Sequence, residues 1–509
     1  MRAIVACVLV VLVAVPSIAL QQDHLFDIRY LSVHGRRQDT VVYDFTGDGV
    51  NDVLNTSIDY DQEPPVRWMA LHVGEKGKLW KPAPDFIWSV HATAAALQFG
   101  NFVPEGGVEI CTIAPDGVYY YPFENGRIVE EPRKLVHART FFTTPSPRAL
   151  PVWGWALDLS GDKTDDLVLP TPEGYRVYFQ TEPGRFGKIS RLEADAKGLA
   201  VQRFPQSLEF VSALFNLHVR LPRIALADID GDGRTDIATV TGNVIRYYFQ
   251  LEPNEFRVKR KWFAQYALKS LEEELKKDAI SYMTVQFADV DGDKLPDFIV
   301  TKLEGQVGLF ETLRTKIRIH FGVTGTGNFS SDGDRYIQIH GVSVDPVFVD
   351  MNGDGRLDCL TSRLRTDLLN QGLSKVIAGD IGVDYEAFQF DAARAEYMQS
   401  PVYAYGMYVR LEDIDKKGAA WRPMLFVPGD LTGDGRPDQV RIVPKTEELE
   451  VHPGRGGLEK IDFDPTAHFV NKLERYPRWV QFYDVNGDGL IDVILHHAGS
   501  VGFMVTRKR

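Results

Sequence analysis

The sequence predicts an all-β protein: a β-propeller of four-stranded blades, eight in number with seven as the alternative, closed by an N-terminal strand and carrying short helical insertions. Three observations predict it. A nine-residue acidic loop occurs seven times along the 509 residues. Short runs rich in β-branched and aromatic residues flank the copies, as strands do. The copies recur at intervals that suit small sheets, which bury both faces only by stacking on neighbours.

The loops span 44–52, 158–166, 228–236, 289–297, 350–358, 430–438 and 484–492. Positions 1, 5 and 9 are Asp in every copy: Asp44, Asp48 and Asp52, then Asp158, Asp162 and Asp166, then Asp228, Asp232 and Asp236. The later copies supply Asp289, Asp293, Asp297, Asp350, Asp354, Asp358, Asp430, Asp434, Asp438, Asp484, Asp488 and Asp492. Position 3 is always a side-chain oxygen donor: Thr46, Ser160, Asp230, Asp291, Asn352, Thr432 or Asn486. Position 7 offers a backbone carbonyl, from Val50, Thr164, Arg234, Leu295, Arg356, Arg436 or Leu490. Donors at positions 1, 3, 5, 7 and 9 can converge on one hard cation. Ca²⁺ accepts roughly 6–8 oxygens in flexible geometry, whereas Mg²⁺ holds a stricter octahedron and keeps its waters. The Gly at position 4 of every copy permits the sharp turn this requires. About seven calcium ions are therefore expected.

An EF-hand begins in the same way but needs a Glu at position 12 and a following helix. Position 12 is here Asn55, Leu169, Thr239, Val300, Thr361, Arg441 or Leu495, none of them acidic. The residues after each loop read as a strand, so the loop joins two strands.

Taken in order, residues 1–19 form a leader: Arg2, an apolar run over 4–15, Pro16, and small residues at Ser17 and Ala19. That pattern is a secretory signal peptide, too short for a spanning helix. Residues 20–509 form one propeller domain, exported to a secreted, periplasmic or cell-surface location, with no later membrane span. Residues 25–31 read as a strand with no loop of its own, which completes the last blade and removes an open sheet edge. First Asp positions are separated by 114, 70, 61, 61, 80 and 54 residues, so the first gap is about twice the usual unit. A degenerate module fills it: strands over 96–102 and 108–113 flank Val103-Pro104-Glu105-Gly106-Gly107, which has lost the Asp set. After the loops a second element recurs, over 175–180, 245–250 and 317–322, each leading to a Phe at 186, 256 or 329. Weaker echoes lie at 68–73 and 449–452. The last module has three strands, over 479–483, 493–497 and 501–506. Residues 263–280 and 365–378 carry helical apolar spacing and are expected to be the two helical insertions.

Composition bounds the function. Cys7 leaves with the leader, and Cys111 and Cys359 lie far apart, so two buried thiols are expected in place of a disulfide. The formal net charge is −13, and seven Ca²⁺ would bring the processed chain close to neutrality. The acidity is thus internal ligand charge, and no basic stripe for nucleic acid exists. Asn55 and Asn328 head glycosylation sequons. Asn55, in a strand just past a metal ligand, is expected to stay unmodified.

The loop motif before a strand, repeated about every 60 residues, resembles the FG-GAP (VCBS) repeat of integrin α-subunit propellers. Phe99-Gly100-Asn101-Phe102 is similar to the Phe-Gly element that names it. The resemblance covers residues 25–509 and implies a propeller with Ca²⁺ in its blade loops, in a stand-alone secreted member. The function it implies is a non-catalytic binding or adhesion scaffold for an extracellular protein or glycan. The alternative is an extracellular polysaccharide lyase or hydrolase on the same scaffold, and a structural subunit of an envelope assembly shares every feature with the first reading. No catalytic residue is assigned. The chain has no Gly-x-Ser-x-Gly elbow, no His-Glu-x-x-His and no phosphate-binding Gly loop. His496 and His497 should point to opposite faces of their strand, which excludes a shared metal.

Overall fold

The computed structural model describes residues 25–507, apart from 104–106, 143–144, 194–196, 203–214, 221–222, 242–243, 253–254, 264–278, 307–308, 324–327, 330–335, 344–345, 365–379, 411–423, 445 and 498. The described residues form eight four-stranded antiparallel sheets, the blades of a β-propeller, and contain no helix. The leader and the second helical insertion lie outside the described residues, as does 264–278 of the first. Phe263 ends a strand (Glu255–Phe263) and Ile280 lies in the next (Ala279–Ala288), so the two ends of the 263–280 segment are extended.

Each acidic loop joins the first two strands of a blade. The first blade contains Arg36–Tyr43, Asp52–Asp59, Val66–His72 and Phe86–Ser89, paired in that order. The degenerate module forms a sheet of its own from Ala96–Gly100, Glu109–Ala114, Gly117–Tyr121 and Arg133–His137, which settles the blade number at eight. The second strands are almost wholly buried because both of their faces pack against neighbouring blades. This is why they read as continuous apolar runs with no polar alternation.

Closure follows the expected plan. Strand Phe26–Ser32 pairs with Ser500–Thr506 in unbroken register from Phe26 opposite Thr506 to Ser32 opposite Ser500. Leu25 and Phe26 sit in an apolar cluster with Val440, Leu449 and Val493, between the seventh and eighth blades. Leu31 joins Val42, Val53, Trp80 and Phe503 between the eighth and the first. One strand therefore seals two inter-blade cores.

The recurrent aromatic after the third strand is an inter-blade plug. Phe186 of the third blade meets Phe102 of the second at 6.1 Å between ring centroids, and Phe256 of the fourth stacks on Phe179 of the third at 5.7 Å. Phe329 packs 5.9 Å from Tyr247, although it lies in a two-residue hairpin strand and not in the fourth strand of its blade. Trp80 against Phe503, Phe123 against Phe86 and Phe390 against Phe321 repeat the contact at other interfaces. Each ring reaches back to the preceding blade, contributing apolar burial and edge or offset ring contacts at the same point.

Cys111 and Cys359 are buried free thiols, and Asn55 is fully buried. His496 stacks on Trp479 at 3.5 Å with the rings 2° from parallel, and its Nε2 bonds Gln481 Oε1 at 2.8 Å. His497, on the other face, tilts against Tyr30 at 5.9 Å. Burial, reinforced by the Arg37 charge, lowers the pKa of His496 to about 2 and that of His497 to about 4. An unfolded imidazole binds its proton below about pH 6.5, and these folded ones do not. Their contribution to stability is therefore complete above that value and falls as pH drops towards 4, by about 1.4 kcal/mol per pH unit for each histidine. In chelator the change in melting from pH 7 to pH 4.5 is expected to be less favourable in the parent than in His497→Leu. An identical change in that variant would remove His497 from the explanation.

Candidate metal centres

The loops owe their shape to a hydrogen-bond pattern in which carboxylates replace strand partners. In the first loop Asp44 Oδ1 accepts the N–H groups of Gly47 at 2.6 Å and Asp48 at 3.2 Å, and its Oδ2 accepts that of Gly49 at 2.8 Å. Asp48 Oδ1 accepts the N–H of Val50 at 2.9 Å. The chain curls about the first carboxylate and then about the fifth. Positions 4 and 6 pay for this with left-handed backbone, at φ 75° for Gly47 and 82° for Gly49. Position 6 is Lys163 (φ 71°) and Lys294 (φ 72°) in two loops. A side chain there is strained, so the need at position 6 is hidden from a reading that follows only the invariant Gly.

The ninth Asp has a second task. Asp52 Oδ2 accepts the N–H groups of Phe45 and Thr46, both at 2.9 Å, while Oδ1 accepts that of Gly74 at 2.8 Å. Asp166 repeats this with Leu159, Ser160 and Gln180. Asp236, Asp297, Asp358, Asp438 and Asp492 likewise bind the position-2 N–H and one from the chain beyond the third strand's start. The ninth carboxylate thus ties the start of the loop to the rest of the blade. All seven are buried to within 1% of complete. Burial raises their pKa, to about 6 for Asp52, Asp438 and Asp492 and about 7 for Asp166, Asp236, Asp297 and Asp358, against the opposing pull of the backbone N–H groups.

The donor set fits a hard cation. Carboxylate oxygens of Asp228, Asp230 and Asp236 lie within 4.8 Å of one another, as do those of Asp289, Asp291 and Asp297. These are positions 1, 3 and 9 of the two loops that have Asp at position 3. In the first loop the position-3 hydroxyl, Thr46 Oγ1, is buried without a hydrogen-bond partner. An unpaired buried hydroxyl costs stability unless something else engages it, and a cation among these oxygens would do so.

Neighbouring loops also bond to one another through position 8. Asn51 Nδ2 donates to the Val485 carbonyl at 3.0 Å, across the closure seam. The N–H of Val108 reaches the Asp44 carbonyl at 2.7 Å, and that of Leu357 reaches Val290 at 2.9 Å. Asp165 and Asn101 exchange two bonds, Asn101 N–H to Asp165 Oδ2 at 2.7 Å and Asp165 N–H to the Asn101 carbonyl at 3.1 Å.

The degenerate loop keeps part of the pattern. Glu109 stands at its ninth position, and Glu109 Oε2 accepts the N–H groups of Phe102 at 2.6 Å and Val103 at 3.3 Å, as the ninth Asp does elsewhere. Sequence reasoning missed this residue because the search was for Asp. Counting nine from Asn101 would have found it. Val103 occupies the third position, where every other loop has an oxygen.

Residues 228–300 match the FG-GAP-like repeat family, a span that contains the two loops with Asp at position 3. No curated protein matches the chain. Among solved structures, a lectin from Agrocybe aegerita, described as recognising non-reducing terminal N-acetylglucosamine, is 14% identical with a TM-score of 0.43, covering 94% of this chain and 99% of its own. The WD40 domain of Toxoplasma gondii coronin is 10% identical with a TM-score of 0.34, covering 94% and 90%. The biofilm matrix protein Bap1 of V. cholerae is 11% identical with a TM-score of 0.27, covering 92% and 77%. No helix among the described residues is long and apolar enough to cross a membrane. The matched repeat and the eight four-stranded blades together fit an FG-GAP repeat β-propeller.

Proposed function

We propose that the protein is an exported, calcium-rigidified propeller that binds an extracellular glycan or protein and catalyses no reaction. The observation that carries this reading is the repeated loop: seven copies with one hydrogen-bond frame, each presenting oxygen donors at positions 1, 3, 5 and 9. Calcium bound there would neutralise carboxylates that burial and mutual repulsion disfavour. It would stabilise the folded state alone, in proportion to its binding. The ions hold the blades, and irregular loops on that rigid frame meet the ligand. Tyr43 and Tyr483, each one residue before the first Asp of its loop, are 40% and 49% exposed on the two blades flanking the seam. Flat aromatic surfaces of this kind suit sugar rings or a partner's side chains.

The test is an array of glycans and extracellular matrix proteins probed with processed protein, with calcium and with chelator, and with bound ligand recovered for analysis. Saturable, calcium-dependent binding that leaves the ligand intact is expected. Cleavage of a bound polysaccharide would replace this reading with the lyase or hydrolase one.

A further inference from the structure

The seven acidic loops are not equal in charge. Position 3 is Asp only in the loops of the fourth and fifth blades, at Asp230 and Asp291, and the other five loops have Thr, Ser or Asn there. In these two loops, and in no other among the described residues, three acidic side chains bring oxygens within 4.8 Å of one another. The third blade's loop also has a fourth Asp, Asp165 at position 8, but its Oδ2 is turned to the Asn101 N–H of the second blade at 2.7 Å. In the fifth blade's loop Asp291 has taken over part of the frame as well. Its Oδ1 accepts the Asp293 N–H at 3.2 Å, whereas in the first, third and fourth blades that position-5 N–H goes to the first Asp.

We propose that the loops fall into two affinity classes, with those of the fourth and fifth blades binding calcium at least about tenfold more tightly than the other five. The ranking rests on the calcium occupancy proposed above. Ligand charge count tunes the affinity of an oxygen site for Ca²⁺, and a carboxylate in place of a hydroxyl or amide adds one full negative charge at ligand distance. The fifth blade's loop is the tighter of the pair. In the fourth blade's loop Arg234 Nη2 bonds Asp232 Oδ2 and offsets part of the charge. In the fifth, exposed Lys294 gives Asp289 its backbone N–H at 2.9 Å, and among the described residues no side-chain cation pairs with Asp289, Asp291 or Asp293. The consequence is a graded scaffold. Extracellular calcium modules bind with Kd of about 10⁻⁴–10⁻³ M. Loops with three carboxylates in that range load and empty as external calcium varies, while the fourth and fifth blades stay loaded. The propeller then keeps one rigid sector and a calcium-responsive remainder.

Calcium titrated into the metal-free full chain by calorimetry, with a chromophoric chelator competing for the tight sites, tests the ranking. Two ions are expected to bind at least about tenfold more tightly than the rest. The double substitution Asp230→Asn with Asp291→Asn keeps an oxygen at each position 3. It should merge the two classes without changing the number of ions bound. Asn486→Asp makes the reciprocal change in the eighth blade, at an exposed side chain that bonds only within its own loop among the described residues. It should add a third tight ion. A single class of site in the unmodified protein would overturn the ranking. So would a tight pair that survives the double substitution, or a tight count that stays at two in Asn486→Asp. Those results leave the calcium reading standing, whereas a chain that binds no calcium at all would remove both.

Discussion

Deleting residues 20–32 is expected to abolish the cooperative fold. The strand it removes, Phe26–Ser32, is the fourth of the last blade and pairs along its whole length with Ser500–Thr506. Three apolar side chains leave with it: Leu25 (1% exposed), Phe26 (3%) and Leu31 (0%). At about 1.5–3 kcal/mol each, their loss approaches the whole stability of a typical domain, about 5–15 kcal/mol. The deletion also bares the unpaired edge of Ser500–Thr506, a template for association. The Asp27–Arg507 ion pair adds little, since both side chains are about half exposed. The measurement is circular dichroism with thermal melting and light scattering. Loss of the transition with aggregation is expected, while Ile28→Ser, at an exposed position of the same strand, should melt near the parent. A truncated protein that melts unchanged would refute closure by this strand.

Positions 5 and 9 of a loop should respond differently to the same substitution. Asp166→Ala strands three backbone N–H groups, those of Leu159, Ser160 and Gln180, at a fully buried point. Each unsatisfied buried donor costs about 1–3 kcal/mol, so a loss of about 3–5 kcal/mol is expected already in chelator, and more with calcium present, where a bound ion is lost as well. Asp162 is exposed and holds Thr164, through its N–H and its hydroxyl, with no N–H from beyond the loop among the described bonds. Asp162→Ala should cost about 1 kcal/mol in chelator and, with calcium present, remove one bound ion. Urea unfolding with calcium and with chelator separates the two. If both variants lose the same amount under both conditions, the ninth Asp is no more than another ligand and the clamp is wrong.

The nine-residue spacing was the most legible feature of the chain because metal-type donors and a left-handed Gly tolerate few alternatives. The strand over 25–31 located the seam to within a residue of the observed Phe26–Ser32, and the doubled gap after Asp44 located the second blade, whose first strand starts at Ala96 as expected and ends at Gly100, two residues early. The ninth Asp's hold on the backbone was not legible, since the same residue type serves as clamp and as ligand. Glu109 was missed for a related reason: one added methylene preserves the clamp but breaks the pattern being counted. The small hairpins Phe123–Glu124 with Arg127–Ile128 and Phe390–Asp391 with Glu396–Tyr397 were also missed. Two-residue strands have no periodicity to read, and tight turns closing on Asn125 (φ 51°) and Ala395 (φ 51°) specify them. The recurrent Phe at 186, 256 and 329 was visible as a repeat, but its role as a plug against the preceding blade needed the fold.

Calcium titration by calorimetry on metal-free processed protein, paired with thermal unfolding before and after chelation, tests the central claim most directly. A stoichiometry near seven, with the melting temperature falling steeply once metal is removed, is the expected result. Little bound metal and an unmoved transition would contradict it, and the seven loops would then be turns held by their own carboxylates alone.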